Sequence, residues 1–332
     1  MTSPSSAADP DVTAAVTVGI DLGGTGTRLV ALDPAGVLRS RLTVPTRHER
    51  PADPGQLITG LTALIQDAAS GARLDAVGIG ASGPVDSHGI IRNDATLPAY
   101  SNIPLAPLIT ARLGVPCAID NDAVAAALGE NSYGAGQHSP ALLAVTLGTG
   151  IGVALLHGTT PYRGSDGTHP EAGHIPVPGP AAPCYCGLPV CWEQLASRSA
   201  LDAATGHATD EMAAAAKAGD QPSRQVFDRY AGHVGAGLAA LLTVFRPARV
   251  VIGGSAAQYL PLLRPGINRA LDRSRPFVWK PPIAAAGLGE SSGAIGAAIL
   301  PRVAGASQQP APGTPRPVEP PAGSLTDGAA SS

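Results

Sequence analysis

The sequence predicts an α/β protein, and three observations carry that prediction. Short apolar runs bounded by glycine alternate with segments of helical spacing, the pattern of strands and helices in α/β folds. A strand–glycine turn–strand unit occurs twice, at 16–33 and at 142–156. The hydrophobic fraction of 44% against 14% charged supplies ample material for a core and excludes wholesale disorder. With 332 residues the chain has room for about two domains. The repeat suggests duplicated halves with one ligand between them.

The elements follow in order. Residues 16–21 form a short apolar strand that ends in the glycine turn Gly23–Gly24, and 28–33 returns as the second strand of a hairpin. Residues 57–70 space Leu57, Leu61, Leu64, Ile65 and Ala68 by three and four, which is helical. Strands are expected at 76–80 and 115–119, and an Ala-rich helix at 123–130. The second strand–turn–strand unit occupies 142–147 and 152–156. A long helix at 227–245 stops before Pro247, a strand at 249–252 ends in Gly253–Gly254, and a last helix spans 289–303. Residues 1–14 are small and polar and the Pro-rich stretch 305–332 has almost no large apolar side chains, so both are expected to be unstructured tails.

Composition narrows the function classes. There are 22 basic and 25 acidic residues, a net charge of −3, so nothing supports a nucleic-acid binder. The uncharged stretch 139–156 is broken by Gly148, Gly150 and Gly152 and reads as strand–turn–strand, not as a membrane helix. The start of the chain has neither an apolar run nor a basic cluster, so no signal peptide is expected. A soluble, cytoplasmic protein is the reading. Four cysteines are too few for a disulfide scaffold.

Two glycine loops follow the first strand of each half: Asp21-Leu-Gly23-Gly24-Thr25 and Leu147-Gly148-Thr149-Gly150. Backbone N–H groups approach a phosphate closely only where no Cβ intrudes, so Gly beside Thr suits phosphate cradling. One such loop alone would be an ordinary hairpin turn. Two of them, with Gly253–Gly254 after a third strand, favour a nucleotide. Asp21 could hold Mg²⁺ through water. A G-x-G-x-x-G match at Gly78–Gly83 is accidental, because Pro84 and an extended-looking stretch follow where a helix should begin.

Asn121-Asp122 lies between a strand and a helix, where an α/β sheet binds ligands. Asp122 could take a proton from a substrate hydroxyl as that oxygen attacks phosphorus. Helix capping explains the same residues about equally well. The strongest local signal is His174, Cys184, Cys186 and Cys191, one imidazole and three thiolates within 18 residues. This set makes a closed tetrahedral zinc site, hence a structural one. Glu171, three residues before His174, and Glu193, two after Cys191, suit vicinal sugar hydroxyls. Glu193 equally suits the first turn of a helix. If one ring nitrogen of His174 holds zinc, the other is free for substrate. Cys117 and the remaining histidines, His169 among them, read as packing or surface residues.

Taken together these residues resemble the ROK family (repressor, open reading frame, kinase), over residues 16–302. Its kinases act on sugars in an actin-like, ribonuclease-H-like ATPase fold. The resemblance implies two lobes around a cleft: 15–120, completed by the helix 289–303, and 121–288 with the zinc loop. It implies ATP with Mg²⁺ across Asp21, Gly23, Gly24, Thr25, Gly148, Thr149, Gly150, Gly253 and Gly254. It implies a hexose held by Asn121, Glu171, His174 and Glu193, and Asp122 as the base that deprotonates the attacking hydroxyl, the 6-hydroxyl of glucose. A structural Zn²⁺ and a homodimer or tetramer come with it. Val190, Pro170, Val153, Ala154 and Thr96 depart from the usual pattern, leaving the sugar open among glucose, N-acetylglucosamine, N-acetylmannosamine and fructose. The family also holds sugar-responsive repressors with an N-terminal winged-helix domain. About 15 residues before the first strand leave no room for one, so a kinase is expected over a sensor.

Overall fold

Two five-stranded sheets with the same topology frame the molecule. The computed structural model describes residues 15–307 apart from residue 181 and residues 274–278. The two expected tails lie outside the described residues, except that 305–307 belong to the last helix. The first sheet contains β1 (Ala15–Leu22), β2 (Gly26–Leu32), β3 (Leu38–Pro45), β4 (Arg73–Ala81) and β5 (Cys117–Asn121), in the order β3-β2-β1-β4-β5. The second contains β6 (Ala141–Leu147), β7 (Ile151–His157), β8 (Thr160–Pro161), β9 (Arg249–Gly253) and β10 (Ile283–Ala285), in the order β10-β9-β6-β7-β8. Each sheet has an antiparallel hairpin with a third strand outside it, and two parallel strands on the other side. The repeat seen in the glycine loops is therefore a repeat of whole sheets.

The helices bury the faces their spacing predicts. α1 (Pro54–Ala69) starts at Asp53, whose carboxylate accepts the Gly55 N–H at 2.8 Å, and packs Leu57, Leu61, Ile65 and Ala68 into the first core. α2 (Leu105–Leu113) joins that core through Leu105 and Ile109. α4 (Trp192–Ala196), α5 (Arg198–Ala204), α6 (Thr209–Ala218), α7 (Gln221–Phe245) and α8 (Leu260–Arg273) belong to the second half. α7 begins six residues before the expected start, because Asp220 caps it and Pro222 fits its first turn.

α3 (Asp122–Tyr133) lies between the halves. Ala123, Val124, Ala127 and Leu128 pack with Leu142, Ala144, Ala154 and Leu156 of the second sheet. Their burial fixes where the first turn of α3, and hence Asp122, sits.

The last helix is not continuous over 289–303. A 3-10 turn (Gly289–Ser291) leads into α9 (Ser292–Ala297), and α10 (Leu300–Ser307) follows after a two-residue break. Pro301 lacks an N–H, so it cannot continue α9 and instead sits in the first turn of α10. α9 lies directly on β1 and β4. A Cβ on Gly78 would stand 1.7 Å from the Ala297 carbonyl oxygen, so only glycine fits there. This close packing explains the G-x-G-x-x-G match: after β4 the chain forms an antiparallel bridge, Val85 to Ile91, and no helix follows. Residues 139–156 are β6, a turn and β7, and among the described residues no helix is long and apolar enough to cross a membrane.

Candidate active site

β1, β4 and β5 run parallel and end side by side at Leu22, Ala81 and Asn121. Asp21, Ser82 and Asp122 therefore share one rim. Asn121 is the cap of α3: its Oδ1 accepts the N–H of Ala123 at 2.8 Å and of Val124 at 3.3 Å. Its amide donates to the Gly83 carbonyl at 3.0 Å, which leaves one amide N–H uncommitted. Asn121 thus performs the capping that sequence alone could not separate from a ligand role. Asp122 is the first residue of the helix, not its cap, and its carboxyl turns toward Asp21 and Glu171. Burial, then Asp21, then Glu171 push it up to about 7, against the pull of the Ala123 N–H and the Ser82 hydroxyl. Burial raises Asp21 to about 6, opposed by Arg28 at 3.7 Å.

On the opposite wall, three pieces meet at Ile151, the first residue of β7. Its N–H donates to Glu193 Oε2 at 2.9 Å. Its carbonyl lies against the 3-10 turn Ala172–His174, where a Cβ on Gly173 would stand 2.1 Å from the oxygen. The glycine between Glu171 and His174 is therefore a packing requirement. Glu193 lies in the first turn of α4, as its helix-start reading expects, and its carboxylate also reaches the Ile151 N–H. Trp192 beside it is fully buried, donates to the His233 carbonyl at 3.0 Å, and fills space that Gly237 of α7 leaves open. An indole buries roughly 150–250 Å², an upper estimate of about 4–6 kcal/mol, enough to anchor so short a helix.

The glycine loops are held from behind. Thr46 Oγ1 donates to the Gly23 carbonyl at 2.6 Å, and the Arg198 N–H to the Gly148 carbonyl at 2.8 Å. Ser199 Oγ holds the Thr149 carbonyl at 2.9 Å. Gly254 takes φ +76°, with the Leu147 backbone 2.5 Å from any Cβ. Thr25, Thr149 and Gly254 are exposed, so the loops present their front to solvent.

His174, Cys184, Cys186 and Cys191 converge, with ligand atoms within 4.8 Å of one another. His174 Nδ1 lies 3.6 Å from Cys184 Sγ and 3.7 Å from Cys191 Sγ. Tetrahedral zinc at 2.3 Å from sulfur separates its ligand atoms by roughly 3.8 Å, so the donor set and its spacing suit such an ion. All four cysteines are free thiols, and Cys117 sits apart on β5, its thiol pushed up to about 12 by burial. The second nitrogen of His174 is not free, contrary to expectation: the Tyr185 hydroxyl lies 2.9 Å from Nε2, with the two rings edge to face. Tyr185 follows Cys184, and the turn that closes the cluster carries it onto the imidazole.

The sequence profile of the ROK family matches residues 17–303. The chain belongs to the ROK family. It is 32% identical to the glucokinase of Streptomyces coelicolor, over 86% of this chain and 98% of that protein. The ROK glucokinase of Streptomyces griseus, solved with glucose and AMPPNP, superposes with a TM-score of 0.72 at 32% identity, covering 87% of this chain and 99% of that one. The ROK hexokinase of Thermus thermophilus gives 0.73 at 33%, over 88% and 99%. The fold is accordingly the actin-like ATPase fold of ROK kinases.

Four of the five departures from the ROK pattern lie in packed positions, and nothing in the structure explains Pro170. Val153 is part of the second-half core, and Ala154 of the core under α3. Val190 packs against the second core. The Thr96 methyl covers Gly24, 2.5 Å from where a Cβ would stand. His169, expected at the surface or in packing, is buried at 6% exposure and faces Glu171, with Nε2 3.6 Å from Oε1. Asp120 and Arg163 form an ion pair beside it. Sequence carried no signal for this group, because its members lie 43 and 6 residues apart without a periodic relation.

Proposed function

We propose that this ROK chain is an ATP-dependent kinase that phosphorylates glucose at its 6-hydroxyl. The observation that carries the reading is Asp122: a carboxyl at the strand ends, between the glycine loops and the sugar-suited side chains, poised near neutrality. In its ionised form it accepts the proton of the 6-hydroxyl as that oxygen bonds to phosphorus and ADP leaves. Asn121 contributes its uncommitted N–H, while Glu171, His174 and Glu193 take the other hydroxyls. Glu193 keeps Oε1 for the sugar while Oε2 holds Ile151. For His174 Nε2 to reach the sugar, the Tyr185 hydroxyl that now lies 2.9 Å from it would have to give way.

The backbone N–H groups of Gly24, Thr25, Thr149 and Gly150 would hold the phosphates, while those of Gly23 and Gly148 close the two turns onto the Gly26 and Gly150 carbonyls, and Gly253 and Gly254 would face the adenosine side. Asp21 would hold Mg²⁺ through water, and that ion would supply neutralisation of phosphoryl charge. The chain's own contribution is positioning and exclusion of water. His174, Cys184, Cys186 and Cys191 would hold zinc with no open position, so its role is to brace the loop between Glu171 and Glu193. Clustered free thiols suit a reducing cytoplasm. A homo-oligomer belongs to the same reading and is measured by light scattering.

The test is ADP release with MgATP and a panel of hexoses. Glucose is expected to give the highest kcat/KM, and Asp122→Asn to lower kcat by about 10²–10⁴. Calorimetry should show glucose still bound by that variant. Undiminished turnover in Asp122→Asn would overturn the assignment of the base.

A further inference from the structure

His169 is a buried polar group that the proposed chemistry leaves unused. Its imidazole lies in the loop between β8 and the Ala172–His174 turn, with a side-chain exposure of 4%. Nε2 faces Glu171 Oε1 at 3.6 Å. Nδ1 is buried without a hydrogen-bond partner. Burial holds the ring below its usual range, against Glu171 and Asp120 and with Arg163, so it is neutral at neutral pH and carries one N–H. An imidazole with an unpaired nitrogen is a poor core residue, since an apolar side chain would fill the space without that cost. What the ring offers in return is the atom that faces Glu171.

The loop around it is pinned on both sides. Arg163 pairs with Asp120, and the other Asp120 oxygen accepts the Asn121 N–H at 2.7 Å. Asp120 directly precedes Asn121 and Asp122, so the loop is tied to the segment of the base. At its far end Gly173 rests on Ile151. Glu171 lies between these anchors with 47% of its side chain exposed. A glutamate so exposed has several rotamers open to it, and anchored backbone alone does not select one.

We propose that His169 is a positioning residue for Glu171: its Nε2–H holds the carboxylate in the rotamer that grips the sugar. The inference rests on the reading of Glu171 as a sugar contact. The 3.6 Å separation is longer than a hydrogen bond and shortens in the sugar complex, as contacts of this kind do when a site fills. Under this tautomer Nδ1 is an acceptor, and no donor faces it.

Two substitutions separate the nitrogens. His169→Gln places an amide N–H near the position of Nε2, and His169→Asn places one near Nδ1. In the zinc-loaded enzyme, His169→Gln should keep the glucose KM within about threefold of the parent. His169→Asn should raise it about tenfold, with kcat and the ATP KM little changed. The proposal is overturned if both variants keep the parent KM, if Asn preserves it and Gln does not, or if both substrates' KM values rise together. Glu171→Gln is the control. If it leaves the glucose KM unchanged, the sugar-contact reading fails and takes this proposal with it. If it raises the KM while His169→Asn does not, the positioning role alone fails.

Nitrogen-15 shifts of His169 in the parent enzyme give a readout independent of either variant's folding. Nε2 should be protonated and should move on addition of glucose. A ring protonated at Nδ1, or one that does not respond, overturns the proposal.

Discussion

Asp122 and Asp21 belong to the same rim, and their environments set a pH response at the level of single residues. Asp122 is raised from 3.8 to about 7, chiefly by burial. The proposed base must be ionised to act, so kcat/KM for glucose should fall as pH drops through about 7. A flat profile between pH 5.5 and 8 would argue against it. Stability runs the other way. Between pH 3.8 and about 7 the folded state keeps a proton that the unfolded chain has lost. The contribution of this carboxyl is therefore complete below pH 3.8 and is lost as pH rises through about 7. Asp122→Asn should raise Tm at pH 8 by a few degrees, on the order of 1–2 kcal/mol, and have little effect near pH 4. Thermal unfolding at the two pH values checks this. At this scale the motif residues were legible because their types imply chemistry. His169 and Tyr185 were not, because each gains its meaning only from a neighbour that folding brings within reach.

Among the elements, α3 bears the most constraint. Its first turn carries Asp122, and its third turn carries Glu130, a carboxylate at 2% exposure. Glu130 Oε2 accepts the N–H of Ala135 at 2.8 Å and of Gly287 at 2.9 Å, and Oε1 accepts that of Leu288 at 3.0 Å. It clamps the end of α3 to the segment between β10 and α9. Glu130→Gln replaces one oxygen by a donor that faces N–H groups, and should cost about 2–4 kcal/mol in urea denaturation. An unchanged midpoint would show the clamp to be dispensable. The elements with clear periodicity, such as α1 and α7, were legible within a few residues. β3 was not, because it is an edge strand that exposes alternate polar residues such as Arg39 and Arg41. β10 has three residues, too few to show a period, and in α8 the helical spacing of Leu260, Leu263, Ile267 and Leu271 is contradicted locally by Pro265.

The whole molecule consists of two like sheets with α3 packed between them. The proposed sugar contacts and the Cys/His cluster share the segment from Glu171 to Glu193. Elemental analysis should find about one zinc per chain, given the four-donor set. Chelation should lower Tm and raise the glucose KM while leaving the ATP KM nearly unchanged, since the glycine loops are braced separately by Thr46, Arg198 and Ser199. An active protein with a full Tm and no metal would remove the structural role of the cluster.

By itself the sequence determined the α/β class, the duplicated glycine loops, the Cys/His donor set and the residue types of the site. Each of these is local: a period, a turn residue or a spacing within some twenty positions. Only the tertiary structure decided that Asn121 caps while Asp122 faces the rim, that Pro301 splits the last helix over the first sheet, and that Tyr185 rests on His174. It also decided that His169 lies buried against Glu171. Those outcomes depend on burial and on which polar groups are left to pair once the two halves pack, and that competition is not written in any single stretch of chain.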